Sequence, residues 1–144
     1  MDSNNKCAHL FNENIKKLDN PLVDMFNMQR SLQKKLAETG RAIDYDTASF
    51  KDRIDDISDQ WRNMNMEMTE LLERLPWKRW KTYSTEQLAG FVSEEQKMET
   101  YFEAVDVLHF YMNICLALGI DGEMLEKLYI SKNAENFARQ ARGY

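Results

Sequence analysis

Apolar residues return every three or four positions in four long stretches of the chain, the period at which one face of an α-helix turns toward a core. The first stretch covers residues 21–38, with Asn20-Pro21 as a start signal and Gly40 as a stop. The second covers residues 49–75 and is ended by Pro76. The third begins at Ser93, where Ser-Glu-Glu-Gln reads as a capping box, and runs to Gly119. The fourth covers residues 121–140. A short helix is expected within residues 7–18 and a single turn within 86–91, while 39–48 and 76–92 read as connections. Only 5 Gly and 2 Pro interrupt the chain, which suits long helices and few turns. No internal repeat or low-complexity linker is present. The expectation is one all-α domain over residues 1–144, an antiparallel bundle of four long helices plus short ones. Residues 1–20 form an N-terminal extension and 21–140 the bundle.

Polar residues fall where a plain bundle would not place them. Leu22, Met25, Phe26, Leu32 and Leu36 make the apolar stripe of the first helix, and Gln29 and Gln33 interrupt it. Burying an amide without partners costs about 1–3 kcal/mol, so each should meet a neighbouring helix, solvent or the polar edge of a ligand. On the second helix Trp61, Met64, Met68, Leu71, Leu72 and Leu75 form the expected buried face, with Glu67 and Glu70 beside it. On the third, Tyr101, Val105, Leu108, Met112 and Leu116 form the stripe, with Glu103 and Asp106 on its flank. His109 and Asn113 extend the Asp106 side.

Residues three apart project from one side of a helix, so two such acidic pairs facing each other would gather four carboxylates. Like charges share a low-dielectric site only when cations neutralise them, and all-oxygen ligation suits Mg²⁺ or Mn²⁺ better than Zn²⁺. A single pair of this kind is usually solvated helix surface; two pairs beside apolar stripes on separate helices strengthen the metal reading. Asp106 and His109 also match half of a di-iron carboxylate-x-x-His motif, but that chemistry needs the pair twice and His9 lies outside any such pattern. Tyr129, Lys132, Asn136 and Arg139 share one face of the fourth helix, as phosphate donors or as a solvated basic face suited to a helix C-terminus. Trp77-Lys78-Arg79-Trp80-Lys81 interleaves indoles and cations, for stacking on a base or for anchoring the connection.

The net charge of -5 with mixed signs argues against a protein that coats DNA or RNA. The longest apolar stretch is too short to span a bilayer, and the N-terminus lacks a basic region followed by an apolar one, so neither membrane insertion nor export is expected. Cys7 and Cys115 match no metal spacing, and Cys115 within an apolar run predicts a buried, reduced thiol and a cytoplasmic setting.

Four segments carry a resemblance: Met28-Gln29-Arg30-Ser31-Leu32-Gln33, Glu67-x-x-Glu70, Glu103-x-x-Asp106 followed by Val107-Leu108-His109-Phe110, and Tyr129-x-x-Lys132-Asn133-x-x-Asn136-x-x-Arg139-Gln140. In them the chain resembles the all-α nucleoside triphosphate pyrophosphatases, in the branch of dimeric dUTPases and phage dCTP/dUTP pyrophosphatases. The stretch 132–140 and the Trp77–Lys81 segment are most similar to the T-even-type phage members. The resemblance implies Mg²⁺-dependent hydrolysis of dCTP or dUTP to the monophosphate and pyrophosphate, by a homodimer in the cytoplasm. It further implies that Glu67, Glu70, Glu103 and Asp106 hold Mg²⁺, with Glu67 orienting or deprotonating the attacking water. Lys132, Asn136, Arg139 and Tyr129 would clamp the phosphates, and Gln29, Gln33, Trp80, His109 and Asn113 would line the base and sugar pocket. The chain lacks the large insertions of cellular dimeric dUTPases, which leaves the base open. A purine or modified deoxynucleotide as substrate, or a non-enzymatic helical adaptor, stand as alternatives.

Overall fold

The computed structural model describes residues 16–143, and these contain five helices and no strand. In chain order they are α1 (Pro21–Ala37), α2 (Phe50–Glu73), α3 (Thr85–Ala89), α4 (Glu94–Ala117) and α5 (Gly122–Ala141). The four long helices therefore lie where the apolar period places them. The expected helix within residues 7–18 falls outside the described residues except for its last three, which are not helical.

Local chemistry explains the boundaries. Asn20 caps α1 by accepting from the Val23 N–H at 3.4 Å, and its own N–H donates to the Asp24 carboxylate at 3.1 Å. Asp121 caps α5 through the Met124 N–H at 2.9 Å. The capping box expected at Ser93 is only half made: Ser93 Oγ accepts from the Gln96 N–H at 3.0 Å, but Gln96 Oε1 takes the Val92 N–H instead. The complete box opens α3, where Ser84 and Gln87 accept from each other's backbone N–H at 3.2 and 2.9 Å. At the end of α4 the Ile120 N–H reaches back to the Cys115 carbonyl at 2.8 Å and the Gly119 N–H to Leu116 at 3.0 Å. That closure needs the left-handed φ of +83° at Gly119, which a side chain would strain.

Contacts divide the chain into two compact units. The first comprises Leu18–Ile57 and Met112–Tyr144, and the second is built on Ser58–Tyr111. The first unit holds an apolar core of Phe26, Tyr45, Met112, Cys115, Leu116 and Ala117, lined by Leu22, Met25, Ile43, Ile57, Ile120 and Leu125. α1 packs against α5, and Gly122 permits the approach: a Cβ there would lie 2.7 Å from the Val23 Cα. Tyr45 shows that the 39–48 connection also builds the core. Its hydroxyl donates to Asp56 at 2.7 Å, and burial, then that carboxylate, push the phenol's pKa well up. Cys115 is a buried thiol outside any disulfide among the described residues; Cys7 lies outside the described residues.

The second unit corrects the expected faces. Trp61, Met68 and Leu72 on α2 and Tyr101, Val105 and Leu108 on α4 are exposed, while Met64, Leu71 and Leu75 are half-buried. Gln60, Glu99, Thr100 and Glu103 are buried in their place. α4 is apolar around most of its circumference, so burying the side that carries Glu103 leaves another apolar side exposed. On α1, Leu32 is likewise exposed while Gln29 and Gln33 are buried. No single helix among the described residues is long and apolar enough to cross a membrane.

Candidate active site

In the second unit, α2 and α4 bring three carboxylates together. Glu67, Glu70 and Glu103 each offer one oxygen, all within 4.8 Å of one another. Glu103 is buried, Glu67 half-buried and Glu70 exposed, so the cluster has one face open to solvent. Octahedral Mg²⁺ at about 2.1 Å from each ligand places oxygens about 3.0 Å apart when adjacent and about 4.2 Å apart across the ion. Closure by a fraction of an ångström would satisfy it, so the residues fit a hard divalent cation. Asp106, one turn along α4 from Glu103, is not among the three. It lies close enough for their charges to act on it: burial raises its carboxyl pKa, the neighbouring His109 opposes this, and Glu103 and Glu70 add to it. The Glu67 carboxyl is also raised, by burial first and then by Glu70, Asp106 and Glu103.

Arg74, which no motif in the sequence marks, meets this cluster. Its Nε donates to Glu103 Oε1 at 2.6 Å, its Nη2 pairs with the same oxygen, and both side chains are largely buried. Glu67 and Glu70 stand at i and i+3 on α2, and Arg74 follows at i+7 in the turn just past the helix end. That spacing was the available signal.

In the first unit, Gln29, Gln33 and Asn113 are buried to 5%, 5% and 2% exposure. Gln29 Nε2 donates to Asn113 Oδ1 at 2.7 Å. Gln33 Oε1 is buried with no hydrogen-bond partner among the described residues. On α5, Tyr129, Lys132 and Asn136 are exposed, and Arg139 is half-buried with its Nε 3.1 Å from Glu135 Oε1. Arg142 reaches that oxygen at 2.8 Å, so Arg139 is already engaged in an ion pair.

The remaining residues belong to the second unit. Trp80 is 73% exposed, and its ring meets Trp77 edge-to-face at 5.4 Å, with Lys78 Nζ 5.5 Å from the Trp77 ring centre. His109 Nδ1 is 3.9 Å from Asp106 Oδ1, a charge contact longer than a hydrogen bond.

Comparison with known proteins agrees with this architecture. The dUTPase family model matches residues 21–121, a span that contains all four acidic residues. The dCTP pyrophosphatase of Enterobacteria phage LZ5 is 38% identical over 168 aligned positions, covering 97% of this chain and 98% of that protein. The dCTP pyrophosphatase of Enterobacteria phage T4 is 32% identical with the same coverage. A DNA replication protein of phage T4 is 31% identical over 90% of this chain, but only 40% of that protein is covered. No solved structure matches the chain. The match to the family model and the full-length similarity to both phage proteins lead to one assignment: the chain belongs to the dUTPase family.

Proposed function

We propose that this chain hydrolyses dCTP and dUTP to the deoxynucleoside monophosphate and pyrophosphate, with Mg²⁺ as its metal and Mn²⁺ as a substitute. The observation that carries this is the convergence of Glu67, Glu70 and Glu103 within 4.8 Å, in a chain similar along its length to proteins named dCTP pyrophosphatase. Mg²⁺ held there supplies charge neutralisation for the triphosphate and a lowered pKa for water.

The chain's own residues do the rest. Glu67, Glu70, Glu103 and Asp106 hold the metal. Glu67 orients the attacking water and takes its proton. Lys132, Asn136, Arg139 and Tyr129 bind the phosphate oxygens, Lys as a point charge and Arg as a planar fork. Gln29, Gln33 and Asn113 in the first unit, and His109 and Trp80 in the second, are the residues assigned to the base and sugar. The unpartnered Oε1 of Gln33 suits the exocyclic amine of cytosine. Rotating the same amide offers its NH₂ to the corresponding oxygen of uracil, so one side chain serves both bases.

The chain acts as a homodimer in the host cytoplasm, apart from membranes and nucleic acid polymers. Exposed Trp61, Met68 and Leu72 on α2 and Tyr101, Val105 and Leu108 on α4, all within one unit, support the dimer as apolar side chains that a second copy would cover. Binding of a non-hydrolysable dCTP analogue should raise Tm only when Mg²⁺ is present. No stabilisation by any deoxynucleotide with Mg²⁺ would overturn the assignment.

A further inference from the structure

Glu103 is the most buried of the clustered carboxylates, and its negative charge is already answered from within the chain. Two nitrogens of Arg74 fall on its Oε1, in a pair whose side chains are 22% and 10% exposed. A guanidinium cannot lose its proton, so this counter-charge stays in place at every working pH. A free divalent cation entering the cluster meets that positive charge beside Glu103 and is opposed by it. A metal bound to a triphosphate brings net negative charge and meets no such opposition. Arg74 also lines a cavity of about 600 Å³ next to α3, and Glu73, which has no ion pair among the described residues, lines the same cavity. A guanidinium displaced from Glu103 thus has open space and a second carboxylate within its surroundings.

We infer that Arg74 is a positioning residue that competes with free metal: it occupies Glu103 in the metal-free chain and gives it up when the metal arrives with the nucleotide. The inference rests on the metal assignment proposed above, and it predicts a site that is weak for free cations and strong for the metal–triphosphate complex.

The test is titration of Mn²⁺ into the full chain without nucleotide, comparing wild type with Arg74→Gln, Arg74→Lys and the double variant Arg74→Gln/Glu70→Gln. Arg74→Gln should bind free Mn²⁺ at least about tenfold more tightly, since the opposing charge is gone, and Arg74→Lys, which keeps it, should stay near wild type. Tightening should be absent when Mn²⁺ is offered with a non-hydrolysable deoxynucleoside triphosphate. Unchanged or weaker binding by Arg74→Gln would overturn the inference while leaving the metal assignment standing, provided the added Glu70→Gln of the double variant abolishes binding. If adding Glu70→Gln to Arg74→Gln has no effect, the metal is elsewhere and both fall. An Arg74→Gln chain that unfolds without Mn²⁺ but folds with it supports the competition. One that folds in neither condition makes Arg74 a structural counter-charge only and sinks the idea.

Discussion

Gln29 on α1 and Asn113 on α4, 84 positions apart in the chain, are joined by a 2.7 Å bond between buried amides. The bond answers one of the two glutamines that interrupt the α1 stripe, by a neighbouring helix. Asn113→Ala should cost about 1–3 kcal/mol in urea or thermal unfolding, because it strands a buried donor. Wild-type stability in that variant would mean that Gln29 has another partner.

Gln33 behaves differently, since its oxygen is buried and unanswered. Gln33→Leu should leave stability unchanged or raise it, while kcat/KM for dCTP and dUTP falls by about tenfold or more through loss of a substrate hydrogen bond. Paired losses of stability and activity would assign Gln33 to the core instead.

Glu103→Gln and Asp106→Asn should each lower turnover by about two orders of magnitude or more, with helical content intact by circular dichroism. Lys132→Ala should instead raise KM for the triphosphate with a smaller change in kcat. A fully active Glu103→Gln chain would remove the metal assignment.

The raised carboxyls set the sign of a pH effect. Glu67 and Asp106 hold their protons above their ordinary values of 4.5 and 3.8, so between those values and the raised ones the folded chain binds more protons than the unfolded. Their contribution to the stability of the metal-free chain therefore falls as pH rises through that window. Mg²⁺ needs the ionised forms, so the Tm gap between Mg²⁺-loaded and EDTA-treated protein should widen as pH rises there. A gap that stays constant would contradict the assignment of these two carboxyls to the metal.

Much of the architecture was legible because helices announce themselves by period and punctuation. Asn20-Pro21, Asp121 and Gly119 act as caps or stops in the structure. The acidic pairs were legible too, since three-residue spacing fixes a common side. Which side faces inward was not. On α4, Tyr101, Val105 and Leu108 read as core but stay exposed, because the helix is apolar on more than one side and the unit buries the Glu103 side. Tyr45 was hidden in an apparent connection because its partner Asp56 lies on the next helix, and Arg74 because a lone arginine at a helix end looks like surface. Gln96 shows the limit of capping motifs: the spacing from Ser93 is right, but its side chain finds the Val92 N–H one residue earlier.

The most direct test is incubation of purified protein with each of the eight common ribo- and deoxynucleoside triphosphates, in Mg²⁺ and in EDTA, with monophosphate, diphosphate, pyrophosphate and phosphate resolved. Cleavage of dCTP and dUTP to monophosphate and pyrophosphate, in Mg²⁺ and not in EDTA, is the predicted result. Release of phosphate and diphosphate, equal activity in EDTA, or no turnover of either pyrimidine deoxynucleotide by folded protein would contradict it.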